Sequence, residues 1–373
     1  MRCDIFCKVV DNFGDAAISW RLARQLAREH GAKVRLYIDD FATLSRIVPE
    51  AAIGSPIDDV EVQSFDRAAN AQADVVIEAF GCGLPQAYVG AIATRSPPPL
   101  WIVLEYLSAE PWVARHHALT SPHPQLGIDR YFFFPGFLQG TGGVLRETGL
   151  LGRRDAFGSE QRAHLWRSLG HSVPSADALV VSLFAYESAP LLEWLDCWSS
   201  SAQRTVVAIP EGPLLTRALA HVGGAPAERA CQRGALELRA VPFMPQSRYD
   251  ELLWSCDVNF VRGEDSFVRA QWAARPLVWQ IYPQQAEAHH VKLDAFVALY
   301  CRDLDSQAAS AFACAEAAWN RTGARAVTAA CAWEAFRTHH QRLARHAREW
   351  AERLVHVGEL AANVAEFSRG KLK

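Results

Sequence analysis

The nine cysteines include no CxxC pair, and they are scattered and odd in number. That pattern disfavours a disulfide framework and points to reduced thiols in the cytoplasm. No apolar run approaches the roughly 20 residues that span a bilayer. The opening "MRCDIFCKVV" runs straight into a strand-like segment without a signal-peptide apolar region, so a cytoplasmic protein is expected. Charge of one sign is also scarce: 38 Lys and Arg against 41 Asp and Glu leave a net charge of -3. The chain therefore exerts no global attraction on nucleic acid or anionic membrane, and neither is expected as a partner. "FGCGLP" (80–85) lacks the GxGxxG spacing of dinucleotide binding, and Cys82 within it reads as a packed thiol. His289 and His290 follow Glu287 without the HExxH spacing of zinc sites, and no metal is expected. Internal repeats and low-complexity tracts are likewise missing.

What is present is an ordinary globular balance, 50% hydrophobic and 21% charged over 373 residues, a length that favours two domains. Apolar runs at 4–10, 33–38, 73–80 and 100–107 alternate with helical patterns. A second series follows at 178–186, 205–210, 236–243, 258–263 and 277–283. Such alternation predicts an α/β fold of two doubly wound, Rossmann-like domains with parallel sheets. The rhythm breaks near 145–175, and the domains are expected at 1–155 and 156–345. Beyond about residue 305 the pattern is helical, giving a helical C-terminal segment whose last part, 346–373, is expected to pack back on the first domain. Trp333, Phe336, Leu343, Trp350, Leu354 and Val357 predict one long packed helix there, with Arg342, Arg345 and Arg348 on its solvated face.

In "VVDNFGDAAISWRLARQL" (9–26) a strand is expected to end at Val10 and an amphipathic helix to bury Ile18, Leu22 and Leu26. The turn between them carries Asp11 and Asp15 where nucleotide-binding folds usually place glycines. One reading is structural, with one Asp as helix cap and the other as turn-former beside Asn12 and Gly14. The other is chemical: two carboxylates in one turn can grip a guanidinium, and a helix N-terminus would keep such a carboxylate ionised. A second stretch, "RGEDS" (262–266), ends a strand and opens a helix. Arg262 suits phosphate oxygens, Gly263 allows close backbone approach, and Ser266 or Asp265 suits a helix cap. Glu264 suits sugar hydroxyls rather than phosphate. Phe184, Tyr186, Phe243 and Tyr249 fall at strand ends of the same half, either as core or as base-stacking rings, with Gln246 available to a base edge.

Together with "LEYLSAEPW" (104–112), "FFPGF" and "TGGVLRE" (133–147), and "NFVRGEDSFVRAQWAARPLVWQIYPQ" (259–284), these stretches resemble the bacterial arginine rhamnosyltransferases that modify elongation factor P. The resemblance spans most of the chain. It implies a GT-B-type pair of facing Rossmann-like domains with an interdomain cleft, an acceptor-side N-terminal domain and a nucleotide-sugar-binding C-terminal one. It implies an inverting, metal-independent transfer of L-rhamnose from dTDP-β-L-rhamnose to an arginine of elongation factor P, supporting translation of polyproline stretches. No cofactor beyond that donor substrate is implied. Asp15 matches the general base, Asp11 and Glu264 the other essential acids. Phe184, Tyr186, Phe243, Gln246, Tyr249, Arg262, Asp265 and Ser266 match donor-binding positions, and Asn12, Phe13, Gly14 and Gly263 of the two turns are expected to bind substrate as well. The rival functions are another two-Rossmann glycosyltransferase with a cell-wall or lipid-linked acceptor, and a non-catalytic nucleotide-sugar-binding protein.

Overall fold

Every apolar run named above contains a strand of the structure, a computed structural model that describes residues 1–11, 13–225, 228–283, 288–321 and 327–373. Asn12 lies outside the described residues, as do Gln284, Gln285, Ala286 and Glu287. The strands are β1 (Arg2–Cys7), β2 (Lys33–Ile38), β3 (Pro56–Ile57), β4 (Val60–Ser64), β5 (Val75–Ala79), β6 (Leu100–Leu104), β7 (Leu119–Pro122) and β8 (Asp129–Phe133). They are followed by β9 (Leu179–Leu183), β10 (Thr205–Pro210), β11 (Ala230–Arg233), β12 (Leu236–Val241), β13 (Val258–Arg262) and β14 (Leu277–Gln280). Two compact units result: Met1–Thr148 with Arg353–Lys373, and Gly149–Glu352.

The first unit holds one sheet in the order β3-β4-β2-β1-β5-β6-β8-β7. Its inner strands pair in parallel, while β3 and β7 join antiparallel at the two edges. Helices cover both faces of such a sheet, so β5 and β6 are buried along their whole length and read as apolar runs, broken only by Glu78 in β5. The edge strands β3, β7 and β11 are short and mostly exposed, with no apolar run to betray them in sequence. The strand before the DNFGD turn stops at Cys7 rather than at Val10. Val10 is instead 65% exposed, part of the turn and not of the core.

The helix Gly14–Arg28 buries Ile18, Leu22 and Leu26 as its spacing predicts. It also buries Arg21 completely, in a bidentate pair with Glu147 at 2.7 and 2.8 Å. Beside it, the Gln25 amide donates to the Arg146 carbonyl at 2.8 Å. These bonds fasten the TGGVLRE segment to the helix, which explains two widely spaced sequence stretches by one packing contact.

The second unit holds a sheet in the order β11-β12-β10-β9-β13-β14, parallel except for β11. Trp194, Trp198, Phe260, Trp319 and Trp333 meet edge to face in its core. The helix Leu150–Asp155, assigned to the first domain from sequence, belongs to this unit: Arg154 donates to the Trp272 carbonyl at 3.0 Å. The single long C-terminal helix is in fact two, Ala329–Thr338 and His340–Val357. The reason is packing. Trp333 joins the tryptophan core, whereas Trp350 packs on Phe296 and Tyr300. One straight helix does not serve both. Arg342, Arg345 and Arg348 are exposed, as expected of a solvated face.

β14 is the outer edge of its sheet, and a helix closes it. From Ser306–Asn320, Glu316 accepts the Trp279 N–H at 3.0 and 3.1 Å. Asn320 donates to the Trp279 carbonyl at 2.7 Å and accepts the Ile281 N–H at 3.2 Å. Two side chains thus take the place of a neighbouring strand. Burial pushes the Glu316 carboxyl well above its ordinary pKa. The folded form therefore keeps its proton while the unfolded chain loses it, so stability is full in acid and falls as pH rises past the unfolded glutamate value. Glu316→Gln is expected to raise the melting temperature at pH 7–8 relative to the unmutated protein and to change it little near pH 4. Equal effects at both pH values would refute this.

Candidate active site

The parallel strands run in the order 3-2-1-4-5-6 in the first unit and 3-2-1-4-5 in the second, so the topology reverses beside the first strand of each: between β1 and β5, and between β9 and β13. Ligands of doubly wound sheets bind at the strand C-termini of that switch point. The DNFGD turn follows β1. Phe184 and Tyr186 follow β9, and RGEDS spans the end of β13. Both stretches singled out in sequence therefore fall at the switch points.

In the first turn, the Gly14 N–H closes on the Asp11 carbonyl at 2.7 Å and the helix starts at Gly14. Phe13 stands at the N-cap position with no side-chain cap, and its half-buried ring lies under the Arg46 guanidinium at 5.1 Å. Neither Asp is the cap. Asp15 instead reaches backward: its Oδ2 accepts the N–H groups of Val10 and Asp11 at 2.8 and 2.9 Å. Its Oδ1 is buried with no hydrogen-bond partner. Such an oxygen costs free energy until something donates to it.

The proton affinity of Asp15 differs from the sequence expectation of a firmly ionised carboxylate. Burial raises its pKa above the ordinary value, and the negative Asp39 adds to the rise. The two backbone N–H bonds and the Tyr106 hydroxyl oppose this without overcoming it. The Tyr106 side chain acts on Asp15 as a hydrogen-bonding group that favours the charged form. Tyr106 sits in the loop after β6, its ring stacked on Phe80 at 4.4 Å. Sequence alone could not place it. Asp11, only 5% exposed, completes the pair of acids.

In the second unit the Arg262 guanidinium lies over the rings of Phe184 and Tyr186, at 4.3 and 4.6 Å from their centroids. These rings, among the base-stacking candidates of the sequence, hold an arginine in a plane. Gly263 turns the chain with φ +55°, and its N–H is taken by the Gln280 carbonyl at 3.0 Å. Its N–H is therefore not the one that meets a phosphate. Ser266 does not cap the following helix, Asp265–Ala273. Its hydroxyl accepts the Arg262 N–H at 2.9 Å and donates to the Arg262 carbonyl at 2.6 Å. Half-buried Glu264 occupies the N-cap position, with no side-chain cap bond. Backbone geometry explains both departures: the chain turns at Gly263 and not at Ser266, so the hydroxyl faces the strand end.

Below the loop runs a buried ionic chain. Arg269, 3% exposed, donates to Asp265 at 3.0 Å and to Asp250 at 2.8 Å. Gln246 donates its amide to the same Asp265 oxygen at 3.3 Å, so it is fixed from within rather than loose in solvent. Tyr249 packs edge-on to Phe184 at 6.0 Å, with its hydroxyl buried. Phe243 is half-buried beyond the end of β12. Arg269 and Asp250 were not singled out in sequence; the helical i,i+4 spacing of Asp265 and Arg269 was the available signal. Cys82 donates weakly to the Phe6 and Gly83 carbonyls, and burial pushes its thiol up to about 12, which fits a packed thiol. Among the described residues no three His, Cys, Asp or Glu side chains converge as metal ligands, and no helix is long and apolar enough to cross a membrane.

The geometry is matched by kinship. A protein-arginine rhamnosyltransferase of Pseudomonas putida is 45% identical over 379 residues, covering 99% of each chain. The structure solved for EarP-mediated arginine glycosylation of translation elongation factor EF-P shares 35% identity, a TM-score of 0.70 and 99% coverage of both chains. The calicheamicin glycosyltransferase CalG4, at 13% identity and a TM-score of 0.55, shares the two-sheet GT-B fold alone. The family described as "Elongation-Factor P (EF-P) rhamnosyltransferase EarP" matches residues 3–369. The chain belongs to the EarP family.

Proposed function

We propose that the chain is a cytoplasmic protein-arginine rhamnosyltransferase that moves L-rhamnose from dTDP-β-L-rhamnose to an arginine of elongation factor P. Transfer inverts the anomeric carbon, uses no metal ion, and serves translation of polyproline stretches. The observation that carries this reading is Asp15, a fully buried carboxylate with raised proton affinity and one unmatched oxygen on the switch-point turn of the first unit.

A guanidinium is a weak nucleophile because its lone pairs are delocalised and its pKa, above about 12, keeps it protonated. Asp11 and Asp15 grip and orient it. As its nitrogen bonds to the anomeric carbon, one N–H proton passes to Asp15, and the carbon–oxygen bond to the diphosphate breaks. A carboxylate of raised pKa is the better proton acceptor. Placement beside the reacting nitrogen supplies the rest of the rate. On the donor side, Arg262, held flat by Phe184 and Tyr186, neutralises the departing dTDP together with the helix start at Asp265. Glu264 orients sugar hydroxyls. Phe243 and Tyr249 flank the base, with Gln246 at its edge.

The test is intact-protein mass spectrometry of elongation factor P after incubation with this protein and dTDP-rhamnose. One added deoxyhexose per acceptor is expected, lost when the modified arginine is replaced by lysine. Donor binding without any addition would overturn the acceptor assignment.

A further inference from the structure

We propose that Trp279 and Gln280, on the outer strand β14, are positioning residues for the nucleotide-sugar donor, and that Glu316 and Asn320 brace that strand from behind. This rests on the donor reading given above for the RGEDS loop. The indole N–H of Trp279 donates to the Gly263 carbonyl at 2.8 Å, and its ring stacks on Phe267 at 3.8 Å. The next residue works on the same loop. The Gln280 carbonyl accepts the Gly263 N–H at 3.0 Å, and its side-chain oxygen accepts the Tyr186 N–H at 2.7 Å. Gly263 is thus held at both its N–H and its C=O, on the residue where the backbone turns left-handed. Tyr186, one of the two rings under Arg262, is held by the same strand. Trp279, Gln280 and Glu316 are buried and Asn320 is half-buried.

The arrangement has a mechanical reason. An edge strand has an unpaired outer side and is the most easily displaced member of a sheet. Here that strand sets the position of a phosphate-facing arginine, for which small misplacements are expensive. Glu316 and Asn320 engage the outward-facing N–H and C=O of Trp279 and the N–H of Ile281, which keeps the strand seated.

Trp279→Phe keeps a ring against Phe267 and deletes only the indole N–H. It is expected to weaken dTDP binding by calorimetry, and to raise the donor KM, by about 10-fold to 100-fold. The KM for elongation factor P is expected to stay unchanged, and amide exchange is expected to speed up at Gly263–Phe267. Glu316→Gln retains an acceptor for the Trp279 N–H and is expected to bind dTDP as the unmutated protein does, whereas Glu316→Leu follows Trp279→Phe. Unchanged donor binding and exchange in Trp279→Phe would overturn the proposal. So would equal losses for donor and acceptor, the mark of general destabilisation. Unmutated protein that fails to bind dTDP overturns the donor reading itself and the brace's role with it.

Discussion

Asp15→Asn is expected to lower kcat by about 10²-fold to 10⁴-fold, the usual worth of a general base, while leaving the affinity for dTDP unchanged. The argument is local. Asparagine fills the same volume and its amide oxygen can still accept the N–H groups of Val10 and Asp11, so the turn should survive. What disappears is the capacity to take a proton. The substitution also relieves a cost, because burial disfavours the ionised carboxylate that the turn must hold at neutral pH. The melting temperature is therefore expected to hold or rise, the signature of a site that gives up stability for activity. A fall in rate accompanied by a matching fall in stability would refute the assignment, and so would full activity.

The pH dependence follows from the same carboxyl. With its pKa raised, Asp15 is protonated and unable to act as a base at the acid end. Activity should rise with pH through that raised value and level off above it. The midpoint is expected above that of an ordinary aspartate, measured as kcat/KM for elongation factor P under saturating donor. Tyr106→Phe removes a group that favours the charged form and should move the midpoint further upward. A midpoint at or below the ordinary aspartate value would contradict the burial argument.

Glu147→Ala is expected to destabilise the first unit by about 3–5 kcal/mol, because it takes the carboxylate away from a fully buried guanidinium. Arg21 is 0% exposed and gives both Nε and Nη2 to Glu147, so water cannot readily replace the lost carboxylate. Hydrogen exchange of the helix Gly14–Arg28 under mild denaturant would measure the loss. The double replacement Arg21→Met with Glu147→Leu should recover most of it, since an apolar pair of similar volume avoids desolvating two charges. A loss of under about 0.5 kcal/mol in the single variant, the range of surface substitutions, would refute the claim.

Much of the architecture was written locally. Parallel strands buried on both faces are mostly apolar, so β5, β6, β9 and β10 announced themselves as nearly continuous runs. The helix after the DNFGD turn announced itself by Ile18, Leu22 and Leu26. The edge strands β3, β7 and β11 carry no such pattern, because one side of each meets solvent.

The residue types of the site, carboxylates in one turn and an arginine with acids in another, were likewise legible in order along the chain. Their chemistry was not. Whether Asp15 is firmly ionised or raised in pKa depends on how much water the surrounding fold removes, and that is a sum over distant residues. That Arg262 lies over Phe184 and Tyr186 depends on β9 and β13 lying side by side, although 77 residues separate Ser182 from its partner Asn259. Periodicity and turn chemistry act between near neighbours, and they were enough to set which segments become strands and helices and which side chains stand at their ends. Proton affinity, side-chain pairing and the bracing of β14 came with the fold, because burial and hydrogen bonding act between residues the chain brings together last.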